Sequence, residues 1–281
     1  MRGHDPGVKR AAAVALATEQ PSAIEYRGVG FSYDRRSFIE SFDLSIVPGC
    51  VTGIIGPNGC GKSTLVKMAA GYLKPQAGEV LVDGRPTLGY RPKERARRLA
   101  LLTQTGRCPS MTVEALVACG RYPHQSHQGS LDEAGRAVVM EAMSLCGVEM
   151  FRDHDVGLLS GGERQRAFVA MTIAQATSII ALDEPTTYLD VHACHDIMRL
   201  LRELKSADNK TILVILHDLD LALRYCDRIA VMSKGTLALE GTVDKVVASG
   251  VIEEVFKVRV QLNAPPAGSV NGVSYSLFPR F

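Results

Sequence analysis

The run Gly56-Pro57-Asn58-Gly59-Cys60-Gly61-Lys62-Ser63 fits the pattern G-x-x-x-x-G-K-[ST] at every position. Its chemistry is phosphate binding. The glycines let the backbone wrap closely around an anion and turn its N–H groups inward. A helix starting directly after the loop adds the positive end of its dipole. Lys62 is then placed to reach the β- and γ-phosphates of a nucleoside triphosphate, and Ser63 offers a hydroxyl to Mg²⁺, with Thr64 next to them as a further contact. A second group complements the first. Ile179-Ile180-Ala181-Leu182-Asp183-Glu184 ends an apolar run in two adjacent carboxylates. Asp183 is placed to hold Mg²⁺ through water, and Glu184 is left to orient or deprotonate an attacking water. Cys60 has two readings. A helix start and a nearby lysine both favour a thiolate. The alternative is a small residue filling a tight turn, its sulfur turned from solvent.

These groups need elements to hold them. Val51 to Ile55 is a short, β-branched apolar run between glycines, the pattern of a buried strand, and Lys62 to Ala70 reads as the helix after the loop. Ser178 to Leu182 and Thr211 to Leu216 are two more buried strands. Ile24 to Asp34 and Leu44 to Val47 read as strands near the start, and Ile229 to Val231 with Thr236 to Leu239 as a hairpin around Lys234-Gly235. Helical spacing runs through Met111 to Gly120, Leu131 to Val148, Gly162 to Ala176, His192 to Lys205 and Leu219 to Cys226. In the second of these, Leu131, Ala134, Val138, Ala142 and Leu145 share one face. Buried strands alternating with helices predict an α/β fold with a mainly parallel sheet. The helical stretch over about 109–176 predicts an inserted α-helical subdomain. Val251, Ile252, Val255 and Phe256 predict a last amphipathic helix, and Asn263 to Gly272 reads as loop.

Composition narrows the class. The chain has 281 residues, 46% hydrophobic and 22% charged, which excludes a disordered chain, a collagen-like fibre and a coiled-coil rod. Its formal charge of +2 does not call for nucleic acid, although a local basic patch stays open. No apolar stretch reaches the roughly 18–20 residues of a membrane helix. Seven scattered cysteines without a CxxC pair read as reduced thiols. Residues 1–22 read as a disordered leader; the apolar run Ala11 to Ala17 is short and alanine-rich for a signal peptide.

A third motif, Leu159-Ser160-Gly161-Gly162-Glu163-Arg164-Gln165-Arg166, lies shortly before the acidic strand. The three motifs in this order closely resemble the ATPase subunit of ABC transporters. The resemblance spans roughly Ala23 to Gly241. It implies a P-loop NTPase core with an inserted helical subdomain and a small antiparallel β subdomain, over residues 23–241, followed by an extension over 242–281. It implies ATP and Mg²⁺ as cofactors and Lys62, Gln104, Glu184 and His217 as the catalytic set. Tyr33 matches the aromatic that stacks on adenine. Gln104, closing Leu101-Leu102-Thr103-Gln104, matches the glutamine that senses Mg²⁺. Tyr188-Leu189-Asp190 matches a loop crossing the dimer interface, and His217 the histidine that contacts the γ-phosphate. Ser160, Gly161 and Gly162 would complete the ATP site of a second, head-to-tail copy.

Gly120-Arg121-Tyr122-Pro123-His124-Gln125 resembles a stretch in importer ATPases for ferric siderophores, with haem and cobalamin importers as relatives. Arg121 to Gln125 would then present exposed groups where a permease helix docks, with a substrate-binding protein acting indirectly and the chain lying on the cytoplasmic face of the inner membrane. Ala264-Pro265-Pro266-Ala267-Gly268 matches the closing segment of that group only loosely. Two other classes stay open. Non-transport ABC ATPases usually join two cassettes or insert a long coiled coil, and a phosphate-loop kinase lacks the LSGGE run. The pairs His124/His127 and His192/His195 read as solvated faces rather than metal ligands.

Overall fold

The computed structural model describes residues 21–33, 38–103, 108–125, 131–263 and 274–279. It opens on strands β1 (Ile24–Phe31) and β2 (Ile39–Ile46), which pair antiparallel. Strand β3 (Val51–Ile55) leads through the phosphate loop into helix α1 (Lys62–Ala69). Strand β4 (Ala77–Val82) pairs with β1 and the two-residue β5 (Arg85–Pro86) with β4. The result is a four-stranded antiparallel sheet in the order β2-β1-β4-β5. Then come α2 (Pro92–Ala96), β6 (Leu99–Leu102) and three helices, α3 (Val113–Cys119), α4 (Glu133–Leu145) and α5 (Gly161–Ala174). Strands β7 (Ile179–Asp183) and β8 (Thr211–Ile215) flank α6 (Val191–Asp208). After α7 (Leu219–Tyr225) the chain forms the hairpin β9 (Arg228–Ser233) and β10 (Thr236–Thr242), helices α8 (Val243–Ala248) and α9 (Val251–Phe256), and a second hairpin, β11 (Val258–Asn263) with β12 (Ser274–Pro279).

The second sheet has six strands in the order β10-β9-β3-β8-β7-β6, parallel except for β10. Strands β3, β7 and β8 are buried at every position because alternate side chains feed two cores. Val51, Ile55, Ile212 and Val214 pack with the helices α3 to α7, whereas Ile54, Leu213 and Ile215 pack with α1 and the antiparallel sheet. A strand covered on both faces has no polar side to show, so its sequence is a continuous apolar run. This order sets the ends of β3, β8 and β7 side by side. Ligands of open α/β sheets bind at that carboxyl edge.

The structure departs from the sequence reading in four places. Strand β2 begins at Ile39 rather than Leu44; Ser41 adopts a left-handed backbone (φ 47°), and the register shift there interrupts the alternation of buried residues. Helix α4 buries Gly135, Val139, Ala142 and Met143, while Leu145 is exposed. The expected stripe is rotated by about one residue because α3 and α5 meet the face carrying the bulkier Val139, Met143 and Cys146. Strand β6 is too short, and β4 too exposed at its start, to announce itself by period. Finally, β11 and β12 form a hairpin on either side of the segment read as loop, residues 264–273 of which lie outside the described residues. The leader also lies almost wholly outside them.

Candidate functional site

The turn after β3 is shaped by what surrounds it. A Cβ on Gly56 would stand 2.4 Å from the Met232 carbonyl oxygen, so only glycine fits there. Gly61, the residue capping α1, has a φ of 107°, a conformation closed to other residues. The loop thus folds tightly under the start of α1. Lys62 is buried and its ammonium donates to the carbonyls of Gly56 (2.7 Å) and Pro57 (3.1 Å). Two of its three donors are so used to hold the loop, and the third is left for a phosphate oxygen.

The carboxylate pair sits at the end of β7. Ser63 Oγ donates to Asp183 Oδ1 (2.9 Å), joining residues 120 apart in sequence. Asp183 is buried; desolvation pushes its carboxyl above the ordinary range, the adjacent Glu184 adds to that, and the Ser63 bond and the Lys67 and Lys62 charges oppose it. Glu184 adopts a left-handed backbone (φ 57°), an uncommon conformation for glutamate that turns the chain out of the strand. Its Oε1 accepts from His217 Nε2, and its Oε2 from Thr187 Oγ1 (3.3 Å). His217 follows β8, whose last residues pair with β7. Lys62, Ser63, Thr64, Asn58, Gly59, Gly61, Glu184 and His217 line one cleft of about 530 Å³.

Tyr33 lies at the mouth of that cleft. Its ring is exposed, stands edge-on to Phe31 and Phe38, and its hydroxyl shares a hydrogen bond with Thr64 Oγ1 (2.9 Å). Phe38, Thr187 and Tyr188 line the cleft as well. Phe38 belongs to no motif, and only the fold carries it across from β2's side to Tyr33. A flat aromatic surface beside a phosphate loop suits a purine ring above a triphosphate.

Known proteins agree with this geometry. Residues 39–187 match the ABC transporter family. The chain is 40% identical over 245 residues to the petrobactin import ATP-binding protein FpuD of Bacillus anthracis, covering 87% of this chain and 90% of that one. It is 37% identical to the iron(3+)-hydroxamate import ATP-binding protein FhuC of Bacillus subtilis, covering 90% and 91%. The chain belongs to the ABC transporter family. It is an ATP-binding subunit and an ATPase of that family. Among solved structures, the dimeric structure of a bacterial ABC transporter cassette superposes with a TM-score of 0.70 at 27% identity, over 78% of this chain and 98% of that one.

The cassette's LSGGE run lies elsewhere. Ser160 caps α5 in a closed capping box: its Oγ donates to Glu163 Oε2 (2.7 Å), its N–H to the same carboxylate (2.9 Å), and Glu163 N–H returns to Ser160 Oγ (3.4 Å). Neither Ser160, Gly161 nor Gly162 lines the phosphate cleft. A Cβ on Gly161 would stand 3.8 Å from the Tyr188 carbonyl, so this corner borders the loop of Tyr188-Leu189-Asp190. Tyr188 is 94% exposed; Val191, three residues on, and Leu158, just before the LSGGE run, are exposed as well.

The other sequence candidates fall as follows. Asp190 caps α6, accepting from Ala193 N–H (2.8 Å), and does not line the cleft. Nor do Gly56, Pro57 and Cys60, which shape the loop from behind. Cys60 is buried, and desolvation raises its thiol despite the Lys62 charge, so the thiolate reading gives way to packing. Gln104 lies outside the described residues. Arg121 is half-buried and donates to the Ala174 carbonyl at the end of α5 (2.8 Å), so it ties helices together rather than presenting its charge. Tyr122 is exposed. His192 pairs with Asp196 (2.9 Å), His195 with the Tyr225 hydroxyl (2.9 Å), and His124 with the Gln175 carbonyl (2.9 Å). Two of these, His195 and His124, hold neighbouring elements, and His127 lies outside the described residues. No disulfide joins any of the seven cysteines. Among the described residues, no helix is long and apolar enough to cross a membrane.

Proposed function

We propose that the chain is the ATP-hydrolysing subunit of an importer that takes up a ferric siderophore through a membrane permease. The observation that carries the reading is similarity along nearly the whole chain, at 37–40% identity, to ATP-binding proteins of petrobactin and iron(3+)-hydroxamate import. In this reading the chain lies peripherally on the cytoplasmic face of the inner membrane, and a substrate-binding protein delivers cargo to the permease.

The residues define the chemistry. Lys62 holds the β- and γ-phosphates, and the N–H groups of Asn58, Gly59, Gly61, Lys62 and Ser63 ring them. Tyr33 stacks on the adenine. Ser63 and Asp183 present adjacent oxygen donors at the cleft, a hard set that suits Mg²⁺, which keeps several waters and takes few protein ligands. Among the described residues no group of three or more His, Cys, Asp or Glu side chains is placed to hold a metal. Held by Ser63 and Asp183, a Mg²⁺ ion would supply charge neutralisation to the triphosphate. Glu184 is the general base that takes a proton from the attacking water. His217, bonded to Glu184, fixes that carboxylate and reaches toward the γ-phosphate. Gln104 senses the metal.

Ser160, Gly161 and Gly162 serve the site of a second copy. They stand outside this chain's cleft at an exposed helix start, where backbone N–H groups favour an anion. Two chains then enclose two ATP molecules head to tail. Nucleotide favours the closed pair over the open one, and hydrolysis reverses the preference.

The test is uptake. A strain lacking the gene should lose uptake of iron presented on a hydroxamate or petrobactin-type siderophore. The wild-type gene should restore it and Glu184→Gln should not. Unchanged siderophore uptake in the deletion strain, with loss of haem or cobalamin uptake instead, overturns the substrate class.

A further inference from the structure

Tyr33 reaches the helix that follows the phosphate loop. Its hydroxyl shares a hydrogen bond of 2.9 Å with Thr64 Oγ1, although the two residues lie 31 apart in sequence. Thr64 is buried in the first turn of α1, two residues after Lys62, and lines the same cleft. A stacking surface does not need that bond. Phenylalanine presents a ring of the same shape, and the hydroxyl of an exposed tyrosine can be left to water.

The bond falls where the ring is otherwise loose. Tyr33 lies beyond the end of β1 and is 58% exposed. Its ring neighbours, Phe31 and Phe38, stand 4.9 and 5.5 Å away between centroids, at 82° and 65°. Edge-to-face contacts set a ring's tilt but tolerate separations of about 4.5–7 Å, so they let it slide. The backbone beneath is tied. Gln76 donates from its side chain to the Ser32 carbonyl (3.0 Å) and from its N–H to the Gly30 carbonyl (2.8 Å). What these ties leave is rotation of the Tyr33 side chain itself, and the Thr64 bond is the directional contact that stops it. Because Thr64 belongs to α1, the ring is fixed relative to the helix that carries Lys62 and Ser63. A second phenol meets the same helix away from the cleft: Tyr26, fully buried, donates to the Leu65 carbonyl (3.1 Å) and does not line the cleft.

We infer that the Tyr33 hydroxyl is a positioning group for the base: bonded to Thr64, it holds the aromatic ring at a set distance from the phosphate loop before nucleotide arrives. The inference rests on the reading of Tyr33 as the surface on which adenine stacks. Immobilising a free side chain on binding costs about two- to tenfold in affinity, and the bond to Thr64 removes that cost in advance.

Calorimetric titration of the purified full chain with MgADP, which carries no γ-phosphate to hydrolyse, tests it. Tyr33→Phe should weaken MgADP binding by about two- to tenfold and leave binding of inorganic tripolyphosphate, which has no base, unchanged. In hydrolysis the KM for ATP should rise at constant kcat. Thr64→Ser keeps the hydroxyl and should keep the response to Tyr33→Phe. Thr64→Val removes it, and Tyr33→Phe added to Thr64→Val should then cost nothing further. Tyr26→Phe should lower the melting temperature and leave MgADP affinity as it is. Melting curves of every variant identify any loss due to misfolding. Unchanged MgADP affinity in Tyr33→Phe, an equal loss for tripolyphosphate, additive losses with Thr64→Val, or an equal loss in Tyr26→Phe overturns the inference. Tyr33→Ala separates it from the reading beneath. If Tyr33→Ala weakens MgADP binding and Tyr33→Phe does not, adenine stacking stands and the hydroxyl's role alone falls. If Tyr33→Ala changes nothing, both fall.

Discussion

The phosphate loop and the LSGGE corner both lie at helix starts, yet they are built differently. Around the cleft, the ends of β3, β7 and β8 are tied to each other through Lys62 on its own loop carbonyls, Ser63 on Asp183, and His217 on Glu184. Every one of these contacts closes within the chain. At the LSGGE corner the polar contacts are purely local: Ser160 and Glu163 satisfy one another on an exposed turn, and the neighbouring Tyr188 and Val191 face solvent. A preorganised half costs little to order when the nucleotide arrives. An exposed half is useful only if another surface covers it. In the proposed function the difference separates residues that would act within the monomer from residues that would act across a pair.

The largest effect should come from Glu184→Gln, which keeps the shape and removes the base. Hydrolysis should fall by about 10²–10⁴, while ATP binding persists and a closed pair accumulates, followed by light scattering because the chain contains no tryptophan. Hydrolysis at the wild-type rate would remove Glu184 from the chemistry. Lys62→Ala should lower turnover by about 10²–10³ and also weaken ATP binding; normal turnover would mean that the cleft is not the active site.

The exposed half is tested by Ser160→Arg. Bulk at that corner should abolish ATP-driven pairing and hydrolysis while the monomer binds nucleotide with unchanged affinity. Weakened binding by the monomer would place Ser160 in its own cleft, against the geometry. The companion Ser160→Ala removes only the cap and should cost about 1 kcal/mol of stability.

A smaller effect concerns Asp183. Burial raises its folded pKa above that of the unfolded chain, so its contribution to stability is full below the ordinary aspartate range and is lost as pH rises through the raised value. Asp183→Asn removes that loss. Without nucleotide the variant should melt above the wild type at neutral pH, and the gap should close as pH falls. A gap that widens on acidification would contradict the burial argument. The same variant should lose Mg²⁺-dependent hydrolysis.

The smallest effect is in thiol labelling. The exposed Cys108 and Cys119 should react first with maleimide. Cys60, Cys146 and Cys226 should lag, the last two because burial pushes their thiols up to about 12. In a protein retaining only Cys60, fast labelling slowed by MgATP would restore the thiolate reading.

The phosphate loop, the Asp183-Glu184 pair and the LSGGE run were legible in the sequence because each is a local pattern. Spacing along a few residues fixes which backbone N–H groups and side chains can converge. The three central strands were legible for a related reason: a strand buried on both faces must be apolar throughout. Other features depend on partners far away in sequence. The outward face of α4 was settled by what α3 and α5 bring against it, and the start of β2 was hidden by the bulge at Ser41. Cys60 turned inward because Gly56 and Met232 close over its loop, which no residue near Lys62 foretells. Phe38 joined Tyr33 only when the first sheet folded, and Asp190 and Arg121 became caps and ties for helices. Thr64 follows the phosphate loop in any reading of the chain, but only the packing of the first sheet on α1 brings the Tyr33 hydroxyl to it. Sequence spacing specifies local geometry; which side chains face solvent, and which meet across the fold, is decided by packing among distant elements.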